Sequence, residues 1–93
     1  MFIYLDTETT GSGTTDRLCQ IAFKTDTGTT VDELLNPNMP ISVEAMSIHH
    51  ITNEMVADKP PFKDSDVYKN LQSYVKPYVL YVILNMKSIK LSL

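Results

Sequence analysis

Cysteine occurs once, at Cys19, so no internal disulfide can form, and a lone thiol within a predicted strand reads as a small buried apolar residue. An unpaired cysteine also fits a reducing compartment, and the expected location is cytoplasmic. Long hydrophobic runs are absent as well. The longest, Tyr78 to Leu84, falls short of the about 20 residues that a membrane-spanning helix needs, and Met1 leads straight into a strand with no basic leader or cleavage site. No membrane partner is expected. There is no basic excess either: the net charge is −3 and the pI about 5.1. A protein that grips nucleic acid mainly through its phosphates carries the opposite balance, which disfavours DNA-wrapping and helix-turn-helix roles. Repeats and low-complexity tracts are missing, no Asp or Glu follows Asp66, and no His follows His50.

What is present is ordinary globular composition, 43% hydrophobic and 20% charged in 93 residues, enough for one small domain. A chain of this size buries only about 60 to 65% of the surface exposed on unfolding. The most informative stretch is Phe2-Ile3-Tyr4-Leu5-Asp6-Thr7-Glu8-Thr9-Thr10-Gly11. Its apolar start reads as a buried strand, and residues i and i+2 of a strand point to one face. Asp6 and Glu8 therefore share a face, with Thr9, Thr10 and Gly11 turning the chain away beside them. Two adjacent carboxylates repel each other, and a hard cation such as Mg2+ or Mn2+ relieves that repulsion by taking oxygen ligands. Without such an ion they would be solvated residues at a strand end, with Gly11 serving only the turn.

Strand one is expected over Phe2 to Glu8 and strand two from Arg17 to about Lys24. Asp26-Thr27-Gly28 is a hairpin signal before strand three, Thr29 to Leu35, giving a three-strand antiparallel meander. Asn36-Pro37 and Met39-Pro40 break it. Ser42 is placed to cap a short helix through Ile48, and Thr52 another through about Ala57, which Pro60-Pro61 ends. Asp64 or Ser65 opens a longer helix to Lys76, with Val67, Leu71, Tyr74 and Val75 along one face. Tyr78 to Leu84 reads as a strand covered on both faces, and a strand reached through a helix is most simply parallel to strand one. In the tail, Ile89, Leu91 and Leu93 alternate with polar residues as in a strand, whereas Met86, Ile89, Lys90 and Leu93 fit a helical face; a short helix is favoured.

The string Asp-Thr-Glu-Thr-Thr-Gly resembles the first motif of the DnaQ-like 3′-5′ exonucleases, the DEDDh group named for four acidic residues and a general-base histidine. The resemblance continues through Asp16-Arg17-Leu18-Cys19-Gln20-Ile21-Ala22-Phe23, through Asn36-Pro37 with Pro40-Ile41-Ser42-Val43-Glu44-Ala45, and through Ser47-Ile48-His49-His50-Ile51-Thr52-Asn53-Glu54-Met55. His50 stands where the family usually has glycine. The resemblance implies an α/β, ribonuclease-H-like fold in truncated form, a mixed sheet ordered 3-2-1-4 with a parallel fourth strand and helices. It covers residues 2 to about 78 and looks like the N-terminal half of the family's domain.

Beyond that point the pattern departs. Around Val79 to Ile89, Asn85 and Lys87 match the family, but Ile89 sits where its third carboxylate should be. Residues 1–84 are thus read as part of an exonuclease domain and 85–93 as a divergent tail, for which a shifted reading frame is one explanation. The resemblance implies two-metal hydrolysis of phosphodiesters at single-stranded 3′ ends, with Asp6 and Glu8 as catalytic metal ligands for Mg2+ or Mn2+. It further implies that Thr9, Thr10 and His49 meet the terminal nucleotide, and that a DNA polymerase subunit is a partner, as in proofreading. The chain supplies two of the family's four carboxylates and lacks its base histidine, so it is expected to be inactive alone. From a different class, a non-catalytic docking module is the alternative, pairing with a polymerase or with a second copy through an exposed sheet edge. A phosphatase with Asp6 as nucleophile fits poorly, since Glu8 stands at its second acidic position and the C-terminus carries no acid.

Overall fold

The computed structural model of the chain describes residues 2–13, 15–73 and 91–92. Strands β1 (Phe2–Thr9), β2 (Leu18–Thr25) and β3 (Thr30–Leu34) form the antiparallel meander, with β2 in the middle. The β2–β3 turn closes through Thr25 N–H donating to Thr29 O at 2.9 Å, and Gly28 occupies φ 103°, a region in which a side chain would be strained.

Alternation assigns the two faces of the sheet. Leu5 and Thr7 of β1 are buried with Cys19, Ile21, Phe23 and Thr25 of β2, while Tyr4, Asp6 and Lys24 are exposed. The buried face is roofed by four short pieces: helix α1 (Val43–His49), helix α2 (Asn53–Val56), a 3-10 turn (Phe62–Asp64) and helix α3 (Asp66–Gln72). Phe62, Val67 and Leu71 pack against Leu5, Leu18, Ile21, Phe23 and Leu35. Ile41, Ala45, Ile51 and Val56 close a second cluster over Cys19. Full burial of each large side chain contributes about 1.5 to 3 kcal/mol.

The helices start where the capping residues stand. Ser42 Oγ accepts from Ala45 N at 3.0 Å, Thr52 Oγ1 from Met55 N at 3.3 Å, and Ser65 Oγ from Tyr68 N at 3.2 Å. Of the two candidates for the third cap, Ser65 takes the role. The 3-10 turn was not anticipated. It delivers Phe62 into the core edge-on to Tyr68, with ring centroids 5.2 Å apart and planes at 86°.

The fourth strand differs from expectation. The sheet order is β3-β2-β1-β4, but β4 is Leu91–Ser92, antiparallel to β1 through Phe2↔Ser92 and Ile3↔Leu91. The expected parallel strand, Tyr78 to Leu84, lies outside the described residues, as do the end of the third helix and the expected boundary between residues 84 and 85. Leu91 and Ser92 also correct the short helix favoured for the tail at these two positions. Their sequence alternates, and the start of β1 offers backbone groups to pair with.

Candidate functional site at the end of the first strand

β1 positions the two carboxylates as its period requires. Asp6 lies opposite Ala22 and Glu8 opposite Gln20, both in regular register with β2 and on the same sheet face. Asp6 is exposed and Glu8 half-buried. The register then slips between Glu8 and Thr9, so the strand bends where the acidic pair ends.

That bend is held from three sides. Thr10 N–H donates to Arg17 O at 2.9 Å, and Thr10 O accepts from Ser42 N at 2.8 Å, which fastens the start of α1 to the residue after the bulge. At the other end of the same helix, His49 Nε2 lies 2.9 Å from Thr9 O. The His49 ring has one consistent tautomer: Nδ1 accepts from Ile51 N–H at 3.1 Å, so Nε2 carries the proton and donates to Thr9. Both ends of α1 are therefore hydrogen-bonded to the two residues that follow Glu8.

The third hold is the Asp16 side chain. Asp16 Oδ1 accepts from Thr10 Oγ1 at 2.6 Å and Oδ2 from Gly13 N at 2.7 Å. A Cβ at Gly11 would lie 2.7 Å from Asp16 Oδ2, so a side chain there would have to displace the Asp16 carboxylate from its partners. Thr9 Oγ1 donates to Gly11 O at 2.8 Å within the same turn.

Glu8, Thr9 and His49 line one cleft of about 500 Å³ together with Asp16, Glu44 and Ile48. Asp6 lies one step back along the same strand face. Thr10 is turned inward, 1% exposed, with its hydroxyl and both backbone groups engaged by the protein. Cys19 lies beneath the cleft, fully buried, its Sγ 3.9 Å from His49 Nε2. Burial pushes its thiol up to about 11 from 9.0, with the negative charge of Glu8 adding to the effect.

Asp6 and Glu8 are oxygen donors of the kind a hard divalent cation takes, and two carboxylates are fewer than the 6 or so ligands such ions collect. Among the described residues no group of three or more His, Cys, Asp or Glu side chains gathers as a metal cluster. Asp6 and Glu8 fit such an ion in kind and would supply part of its shell. Reading the sequence missed Asp16, taken only as the head of the family-like segment before strand two, and missed the Ser42 backbone contact to Thr10. A loop aspartate between glycines and a strand is the one local signal that pointed to Asp16.

The chain has relatives among known proteins. The chain is 41% identical over 63 residues to the uncharacterised exonuclease CP81 of Escherichia phage 186, covering 67% of this chain and 32% of that one. It is 34% identical over 85 residues to the DNA polymerase III subunit epsilon of Buchnera aphidicola subsp. Schizaphis graminum, covering 80% and 36%. The chain thus spans about a third of the length of these relatives, 32% and 36%. In structure it is similar to exonuclease X, solved in complex with 5′ overhanging duplex DNA, with a TM-score of 0.62, 37% identity, and coverage of 74% of this chain and 43% of that one. The model of the RNase_T exonuclease family matches residues 3–90, nearly the whole chain, and the protein is a member of that DnaQ-like exonuclease family.

Proposed function

We propose that this chain carries the first metal-ligating part of a 3′-to-5′ exonuclease site that removes nucleotides from single-stranded 3′ ends with Mg2+ or Mn2+. The observation that carries the reading is the pair Asp6 and Glu8 on one strand face, ending in a bulge that α1 clamps at Thr9 and Thr10. When bound, divalent cations would activate the attacking water and neutralise charge on the scissile phosphate. Asp6 would ligate two ions, and Glu8 one, while also accepting from the terminal 3′-hydroxyl. Thr9 would line the wall against the terminal sugar; Thr10, expected from the sequence to meet the terminal nucleotide, is buried with its hydroxyl and both backbone groups engaged and would support Thr9 from behind. His49, with both ring nitrogens satisfied by backbone, would present its ring to the terminal nucleotide and keep Thr9 in place.

The rest of the reading follows from the same lineage. A polymerase subunit is a proposed partner, since one relative is itself a polymerase subunit. The cytoplasm is the proposed compartment: Cys19 is a free thiol, and no helix among the described residues is long and apolar enough to cross a membrane. Residues 85–93 are proposed as a tail that has departed from the family pattern at Ile89. Translating the gene in its other two frames tests a frameshift, and finding no Ala-His-Asn-like segment in either would sink that explanation.

The metal reading is tested by Mn2+ titration of the chain, following the free-ion electron paramagnetic resonance signal. Binding is expected and should weaken at least about 10-fold in Asp6→Asn. Equal binding by the variant would refute the site. The 93-residue chain alone should leave a 5′-labelled single-stranded oligonucleotide intact, because no histidine follows His50 and loss of a general base costs about 10²- to 10⁴-fold.

A further inference from the structure

We propose that Asp16 is a positioning residue for the Asp6/Glu8 site, acting through Thr10 on Glu8 rather than ligating metal itself. The inference rests on the metal reading just given. Its starting point is the bulge between Glu8 and Thr9, which turns the Thr10 carbonyl out of the β1–β2 ladder toward Ser42 N. The ladder still presents an N–H from Arg17 at this level, and Thr10 Oγ1 accepts it at 3.1 Å in place of the carbonyl. A hydroxyl in that role has one proton left to give. It has two acceptors in range, Asp16 Oδ1 at 2.6 Å and Met39 Sδ at 3.4 Å. The carboxylate takes it, since a short bond to a charged oxygen outcompetes a thioether.

Asp16 therefore fixes the rotor of Thr10, and through its second oxygen it holds the N–H of Gly13, which lines the cleft with Gly11 and Ser12 beside Glu8. Removing the carboxylate leaves the Thr10 proton only the weaker Met39 Sδ, takes the acceptor from the Gly13 N–H, and so loosens the residue whose carbonyl anchors α1. Glu8 sits at the hinge of that disturbance, immediately before the bulge. Asp6 sits two residues back in regular register and is insulated from it. The effect of Asp16 on metal affinity should therefore run through Glu8.

The experiment is Mn2+ titration of the 93-residue chain and its Asp16→Ala, Asp16→Asn, Glu8→Gln and Asp16→Ala/Glu8→Gln variants, with circular dichroism confirming that each is folded. Asp16→Ala should weaken Mn2+ binding about 10-fold, the low end for residues that orient a ligand. Asp16→Asn should restore most of it, because an amide can accept from Gly13 and donate to Thr10 Oγ1 in the same shape. The double variant should be no weaker than Glu8→Gln, since two residues acting through one ligand are not additive. Gly11→Ala, which drives a Cβ into the Asp16 carboxylate, should reproduce the Asp16→Ala loss if that variant fails to fold. Unchanged affinity in folded Asp16→Ala, or additive losses in the double variant, would overturn the inference and leave the metal site standing. Asp16→Asn falling as far as Asp6→Asn would make Asp16 a ligand, which also overturns it. An unmodified chain that binds no Mn2+ would remove the metal reading, and this inference with it.

Discussion

Single residues around the strand end are decided by what their polar atoms touch. His49 has its Nδ1 filled by Ile51 N–H and its Nε2–H spent on Thr9 O, so its service to the site is to hold backbone. Cys19 is governed by burial. Because its thiol is raised to about 11 in the folded chain against 9.0, the folded state holds the proton more tightly than the unfolded one between those values. Stability from this group is complete below about pH 9 and is lost as pH rises toward 11, by roughly 2 to 3 kcal/mol. Urea unfolding at pH 8 and pH 11 should show a larger fall for the unaltered chain than for Cys19→Ala. Parallel falls would show that the thiol is not the cause. The acidic pair was legible in the sequence because strand period alone puts Asp6 and Glu8 on one face. Asp16 was not, because its partners Thr10 and Gly13 face it only once the loop has folded.

Among the elements, α1 shows most clearly how local signals and tertiary contacts divide the labour. Its start was readable from Ser42, whose hydroxyl caps Ala45 N, but the second use of Ser42, its backbone N–H on Thr10 O, depends on where the helix lands. Its end is set by His50, at φ 61° and ψ 19°, whose N–H closes on Met46 O at 2.8 Å. This left-handed cap explains why the family prefers glycine there: an L side chain pays about 1 to 2 kcal/mol in that region. His50 is exposed, so His50→Gly removes that strain at the cost of about 0.5 to 1 kcal/mol of chain entropy. The expected net gain is about 0.5 to 1 kcal/mol, read as a rise in urea midpoint; a fall would mean that the His50 side chain holds the cap in another way. The tail was harder to read, since Ile89 and Leu93 fit both the strand alternation and the helical face, and pairing with the start of β1 decided for a strand at Leu91 and Ser92.

At the scale of the molecule, the described residues form a three-strand meander with the short β4 beside β1, one face roofed by short helices and the other carrying exposed Asp6 and half-buried Glu8. The outer strand β3 exposes Asp32 and Glu33, and charges at an edge oppose its pairing with a second copy. The function proposed here needs groups from outside this framework, two further carboxylates and a base, so it is best tested by supplying them. Residues 2–73 exchanged for the corresponding stretch of exonuclease X would place Asp6 and Glu8 beside that enzyme's remaining site, a graft that the TM-score of 0.62 supports. The measurement is degradation of a 5′-labelled single-stranded oligonucleotide by the chimera with Mn2+. A 3′-to-5′ ladder that disappears with Asp6→Ala is the predicted result; a folded chimera with no ladder, or one whose ladder survives Asp6→Ala, would contradict it.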